Sequence, residues 1–369
     1  PEVRRRRLGR RPTALLPVLV VAWLVAMPGS AAGFGTIQGG GQNREHERIT
    51  RAALACVDVI GPDTACVAPR TLDNLAGHDR GFGAVGAPDS DELSDPAAHC
   101  DDADFLVGAY PRTRDQATVG LTACVDKLRG RFAAAVDAAA RLVDEHGDLV
   151  PAEVDLGTEC GGADRTERRA KCDVLEMLGR VLHGTQDFYA HSNWADQADP
   201  GRPTGPDNPP GLDLPAPSPV LDLRSGTPPV VPADLTTGCF VVRDEVPGVG
   251  PCAGRVTHAA LNKDRGLVDP VTGEVSAPTT PRGMVGDNFE KAVDAAGTET
   301  VRQWRDLRAA LTARYGADRG ELMSCALARD DPVADCQGTD WALVVGIAAW
   351  VGLAAAALLV VLRRRRRAA

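Results

Sequence analysis

The sequence predicts an all-α protein with long loops, followed by one C-terminal transmembrane helix. Three observations carry this. Several long stretches repeat apolar residues at helical spacing, no extended alternating pattern competes with them, and one uncharged apolar run near the end is as long as a membrane crossing. The composition agrees: 369 residues with only 4% aromatic content, 27 prolines and 39 glycines leave much of the length to loops.

Taken in order, residues 1–33 read as a secretory signal peptide. The basic stretch "RRRRLGRRP" is followed by the apolar run "ALLPVLVVAWLVAM" and the small residues "PGSAAG". "REHERITRAALACVDVI" (44–60) places Ile49, Ala52, Ala53 and Cys56 at helical spacing. "ACVDKLRGRFAAAVDAAARLVDEHG" (123–147) is a long Ala-rich amphipathic run that stops at Gly147. "RTERRAKCDVLEMLGRVLHGTQDFYAHSNW" (165–194) repeats the pattern through Leu175, Leu178 and Leu182. Residues 198–236 are too rich in proline and glycine for a helix or a central strand, and read as a loop inserted between two helical parts. A short "GCFVVRDEV" is the one strand-like stretch, and 286–316 is expected to form the last helix.

The predicted organisation is therefore a signal at 1–33, a helical metal-binding ectodomain at 34–320 and a Cys-containing stalk at 321–340. A transmembrane helix at 341–362, "WALVVGIAAWVGLAAAALLVVL", and an Arg-rich tail at 363–369 complete it. A run of that length spans a bilayer, and the arginines favour the cytoplasmic side. The expected location is the cell membrane, as a single-pass type I protein with most of the chain outside.

Ten cysteines fall as five near neighbours: Cys56/Cys66, Cys100/Cys124, Cys160/Cys172, Cys239/Cys252 and Cys325/Cys336. None forms CxxC, and an even count in an exported chain points to disulfides rather than a thiolate metal site. Neighbour pairing is the simplest connectivity, though others remain open. The net charge is −9, and arginines cluster at the two ends, so the body between them is more acidic still. Such a body repels nucleic acid and argues against it as a partner. Nothing in the sequence names a protein partner.

The densest chemistry lies in "VLHGTQDFYAHSNWAD" (181–196). Residues at i, i+4 and i+8 of a helix step about 40° apart around its axis, so His183, Asp187 and His191 share one face. Imidazole and carboxylate are good zinc ligands, and a three-rung ladder can serve two neighbouring ions. His46 in "REHERITRAAL", His99 in "HCDDADF" and His258 in "THAALNKD" are the other candidates, each beside carboxylates or on a helical stretch. His78 and His146 read as ordinary surface histidines.

These stretches resemble the zinc-dependent phospholipase C and P1/S1 nuclease superfamily. "LHGTQDFYAHSNW" resembles the HET-C branch in particular, and the layout is similar to actinobacterial secreted proteins of the CinY type. The resemblance covers roughly residues 34–315 and implies a multi-helix bundle of the phospholipase C type with two or three zinc ions. It implies His46 as the early helical ligand and Asp89 as the bridging loop carboxylate, with Asp91 and Asp95 as near alternatives. It implies His99 from its loop, the ladder His183, Asp187 and His191, and His258 from a later helix. It also implies ligation by the mature N-terminal residue, which cleavage before Phe34 would place twelve residues ahead of His46. The chain departs from the family in three places. Phe34 stands where Trp is usual, Asn262 stands where a glutamate follows the later histidine, so that Asp264, two residues on, would hold that metal instead or the metal be absent, and the ladder gap is four rather than six. The implied activity is hydrolysis of a phosphodiester, a phospholipid first among the substrates, by metal-activated water with Asp89 taking the proton. The alternative is a non-catalytic HET-C-like surface protein with a structural metal site.

Overall fold

The structure, a computed structural model, describes residues 34–56, 65–79, 81–160, 168–240 and 252–337. Its helices are α1 (Glu45–Leu54), α2 (Pro69–Ala76), α3 (Pro88–Asp91), α4 (Arg114–Ala138), α5 (Pro151–Val154), α6 (Ala170–His191), α7 (His258–Leu261), α8 (Asn288–Tyr315), α9 (Ala317–Ala328) and α10 (Pro332–Cys336). Two short antiparallel ribbons accompany them: β1 (Gln38–Gly39) with β2 (Gln42–Asn43), and β3 (Leu267–Val268) with β4 (Val275–Ser276).

The helical body predicted from the sequence is present. The added membrane-spanning helix is a correction: among the described residues no helix is long and apolar enough to cross a membrane. The residues proposed for it, 341–362, lie outside the described residues, as do the signal at 1–33 and the tail at 363–369. Of the segment 321–340, read as a stalk, residues up to 337 are described. Its described part is helical and folds back onto the bundle, with Met323, Ala326, Leu327 and Ala328 buried in the core. The helix over 286–316 is found within a residue or two, but α9 and α10 follow it. Gly316 makes that reversal, with φ 88, a left-handed value that glycine reaches without cost.

Helix α4 begins earlier than its apolar pattern indicates, because Thr113 and Gln116 form a capping box. The Gln116 amide donates to Thr113 Oγ1 at 3.2 Å and the Thr113 amide donates to Gln116 Oε1 at 2.9 Å. Helix α6 is the central element, packed against α4 and α8, and every residue from Leu178 to His191 is buried. A helix covered on all sides needs small residues where neighbours come close. A Cβ added at Gly179 would lie 2.4 Å from Ala84 Cβ and 2.7 Å from the Val85 amide nitrogen. Gly179→Ala is therefore expected to cost about 1–3 kcal/mol by overpacking, read as a lower denaturation midpoint; an unchanged midpoint would show that the 84–89 backbone yields freely.

The inserted loop is ordered by the helix it follows. Trp194 Nε1 donates to Pro215 O at 3.0 Å, the Ser218 amide donates to Tyr189 Oη at 2.8 Å, and Asn193 Nδ2 donates to Pro210 O and Asp234 O. Its only regular piece among the described residues is a 3₁₀ turn at Pro219–Leu221. Of "GCFVVRDEV", Cys239 makes an isolated bridge to Thr257, and 241–246 lie outside the described residues. All ten cysteines pair, and each pairs with its near neighbour as the simplest connectivity expects: Cys56–Cys66, Cys100–Cys124, Cys160–Cys172, Cys239–Cys252 and Cys325–Cys336.

One charge in the core has a measurable signature. Lys171, at the start of α6, is fully buried and donates to Arg329 O. Burial pushes its amine down to about 7. The unfolded chain then binds more protons than the folded one between pH 7 and the ordinary lysine value, so this group makes stability rise with pH across that window. Lys171→Met is expected to raise the melting temperature more at pH 6.5 than at pH 9, the gap narrowing by on the order of 2 kcal/mol. A pH-independent difference would mean that the amine titrates normally.

Candidate metal centre

Six elements bring their polar residues to the middle of the molecule, where they form two adjoining clusters. In the first, α1 supplies His46, α6 supplies His183 and Asp187, the short helix α3 supplies Asp89, and the loop after it supplies His99. In the second, His191 ends α6, His258 opens α7, and Asp101 and Asp264 come from loops. All the histidines and the aspartates 101, 187 and 264 are almost wholly buried.

Asp187 is the hub of the first cluster. Its Oδ1 lies 3.2 Å from His46 Nε2, and its Oδ2 lies 3.0 Å from both His99 Nδ1 and His183 Nε2. The other nitrogen of each ring is committed to a fixed acceptor. His46 Nδ1 donates to Gln186 Oε1 at 2.7 Å, His183 Nδ1 to Val85 O at 2.9 Å and His99 Nε2 to Glu92 O at 3.3 Å. Gln186 is itself oriented by donating to Thr50 Oγ1 and Thr300 Oγ1, each at 3.0 Å. These partners fix the tautomers, so three imidazole lone pairs converge around one carboxylate, the arrangement that metal-ligating histidines require.

Two further features fit a cation. His183 Nε2 and His99 Nδ1 face each other at 2.9 Å, and two lone pairs at that distance need a proton or a metal ion between them. Asp89 accepts no hydrogen bond on either buried carboxylate oxygen, although Oδ1 is 3.7 Å from His183 Nε2 and 3.9 Å from His99 Nδ1. A buried carboxylate without donors is costly unless a positive charge compensates it. Of its sequence neighbours, Asp91 pairs with Arg180 and Asp95 pairs with Lys127, so among the three only Asp89 faces the cluster. The Phe34 amide nitrogen is 3.2 Å from Asp187 Oδ1, and its ring packs edge-on against His46.

In the second cluster each imidazole lies between two carboxylates. His191 Nδ1 is 3.2 Å from Asp101 Oδ2 and its Nε2 is 3.0 Å from Asp264 Oδ1. His258 Nδ1 is 3.1 Å from Asp101 Oδ2 and its Nε2 is 3.3 Å from Asp264 Oδ2. Burial disfavours the charged rings, but the two carboxylates outweigh it. His191 is held well above the ordinary histidine value and His258 is raised to about 10, while Asp264, despite burial, is drawn down to about 2. In the first cluster burial is likewise outweighed for His46 and His99, which are raised beside Asp187, whereas His183 is lowered by burial with His46 adding to it. Asp187 itself lies well below the usual carboxylate range, because the facing histidines overcome its burial.

The groups His46/His183/Asp187, Asp89/His99/His183 and Asp101/His191/His258 each have ligand atoms close enough together to hold a metal ion. A fourth acidic group, Asp102 and Asp104 beside Cys239, serves another purpose. Asp104 is clasped by Arg112, Arg255 and the Tyr110 hydroxyl, and Cys239 is in a disulfide.

The structure thus gathers every residue proposed for the site and adds others that the sequence reading missed. Asp101 was read only as one acid of a run beside His99. Nothing in "HCDDADF" shows that it joins the second cluster while His99 joins the first. Gln186 lies inside the ladder, and only its position one residue before Asp187 marked it. Below the second cluster, Asp196 forms a buried ion pair with both Lys263 and Arg282, and Lys263 also donates to Ser192 O and Leu261 O. That knot ties the end of α6 to the segment carrying Asp264. Phe240 lies across both clusters, stacked on His99 at 5.9 Å between ring centroids and 6.2 Å from His258. No family model, curated protein or solved structure matches this chain.

Proposed function

We propose that the chain is a zinc-dependent phosphodiester hydrolase that acts in an oxidising compartment, with a phospholipid as its first candidate substrate. The observation that carries the reading is the convergence of three imidazole lone pairs and two aspartates on one buried point, beside a second His/Asp cluster. The residues that would hold zinc are His46, Asp89, His99, His183 and Asp187 in the first cluster, and Asp101, His191 and His258 in the second. Asp264 accepts from the far nitrogens of His191 and His258, and so orients them. Zinc bound there supplies Lewis acidity toward a phosphoryl group and lowers the pKa of a neighbouring water.

The chain's own contribution is to orient, to exclude water and to accept a proton. Asp89 has two carboxylate oxygens without donors, which suits it to take a proton from an attacking water. Gln186, Val85 O and Glu92 O hold the three rings in one tautomer each. Phe240 covers one face of His99 and meets His258 edge-on, which helps to keep bulk water away. The five disulfides support an oxidising location. The acidic body supports a neutral or zwitterionic substrate over a polyanion.

A second reading, a structural metal site in a non-catalytic protein, is favoured by one observation. Each imidazole of the second cluster already has a carboxylate within 3.3 Å of both nitrogens, a charge-paired arrangement suited to holding loops together. Turnover separates the two. The hydrolase reading expects cleavage of bis(p-nitrophenyl) phosphate or a phosphatidylcholine analogue, abolished by chelator, restored by zinc and reduced at least a hundredfold in Asp89→Asn. Zinc that raises the melting temperature with no turnover on either substrate would leave only the structural reading.

A further inference from the structure

Loop 99–104 feeds both clusters. His99 enters the first and Asp101 enters the second, although only one residue separates them. In an extended strand, residues i and i+2 point the same way. The residue between them breaks that rule. Cys100 has φ 54, a left-handed value uncommon for a side-chain-bearing residue, and it is completely buried. Its sulfur is bonded to Cys124 in the middle of α4. The loop is pressed against that helix as well: a Cβ at Gly120 would lie 2.1 Å from Asp102 O. On the other side the Asp102 amide donates to Gly238 O at 2.8 Å and the Ala103 amide to Thr237 Oγ1 at 2.9 Å. Cys100 is thus the pivot at which the backbone turns one ligand to each cluster, and the disulfide holds the pivot to the bundle.

We propose that the Cys100–Cys124 disulfide is a positioning device for the whole metal centre, fixing His99 and Asp101 at their two clusters together, so that zinc uptake at both depends on this one bond. The inference rests on the reading of the clusters as metal sites. It separates this disulfide from Cys325–Cys336, which joins α9 to α10, helices that carry no member of either cluster.

Linkage supplies a test in the unmodified protein. If the bond favours zinc, zinc must equally favour the bond. The full chain is equilibrated in redox buffers of reduced and oxidised glutathione at graded ratios, with and without saturating zinc, and each disulfide is followed by alkylation and mass spectrometry. Zinc is expected to shift the equilibrium constant for reducing Cys100–Cys124 at least tenfold toward the disulfide and that for Cys325–Cys336 less than twofold. An equal shift of both, or a shift of neither, overturns the proposal. In parallel, Cys100→Ser/Cys124→Ser should bind zinc at least tenfold more weakly at both clusters, while Cys325→Ser/Cys336→Ser keeps the original affinity. Original affinity in the first pair overturns the proposal as well. Failure of the underlying reading looks different: the unmodified protein would then bind no zinc at all, and both inferences would fall together.

Discussion

Asp187→Ala is expected to unload the first cluster and to lower the melting temperature of the metal-free protein by roughly 10 °C. Asp187 is the one carboxylate within about 3 Å of His46, His99 and His183 together, and it also accepts from the Phe34 amide. Without it, partly charged imidazoles remain packed together with no counter-charge but Asp89. Breaking a buried ion pair from one side costs about 3–5 kcal/mol. Asp187→Asn keeps the shape and removes the charge, so it should reproduce most of the loss if electrostatics dominates. Elemental mass spectrometry should show at least one zinc ion fewer per chain in both variants. Full zinc content in Asp187→Ala would move the centre elsewhere and sink the assignment of Asp187 as hub.

Asp196→Ala is expected to be nearly as damaging, for a reason that involves no metal. Asp196 is fully buried and receives Lys263 Nζ at 2.9 Å, Arg282 Nε at 2.8 Å and Arg282 Nη2 at 2.9 Å. Its removal leaves two cations in a dry interior. Lys263 keeps carbonyl acceptors and can shed its proton, since burial already lowers its amine. Arg282 cannot do so. The expected cost is about 3–5 kcal/mol, measured by denaturant unfolding. Asp196→Ala/Lys263→Met should recover part of it, because one of the stranded charges is then gone. The loss should extend to the second cluster, because Lys263 precedes Asp264 in the chain. A wild-type unfolding midpoint would mean that water reaches the ion knot.

The candidate site was more legible in the sequence than the architecture around it. His183, Asp187 and His191 could be placed on one face because a helix fixes direction by spacing alone. The ladder's short spacing also carried its meaning: His183 and Asp187 belong to one cluster and His191, a turn on, to the next. Asp101 was beyond reach because its direction is set by a left-handed residue, and Cys100 gives no sign of that in its type. The start of α4 was missed because a capping pair, not an apolar residue, sets it. The helix α9 within the 321–340 segment was not legible in the sequence either. The segment near 321–340 looks weakly amphipathic alone, and only the facing surface of α8 explains why Leu327 and Met323 are buried. The salt-bridge knot of Asp196, Lys263 and Arg282 joins residues up to 86 positions apart, a pairing that no local pattern encodes.

The pairing of cysteines has a consequence for the order in which the molecule is built. Every disulfide joins consecutive cysteines, with sequence separations from 10 to 24. A chain delivered from its N-terminus into an oxidising space can therefore close each bond before the next cysteine arrives, with no mispaired partner to be undone. The ligands follow the opposite rule. Those of the second cluster run from Asp101 to Asp264, so that cluster cannot close until α7 has emerged and docked. Stapling proceeds along the chain, and the second cluster receives its last side chain only after four of the five staples have had time to set.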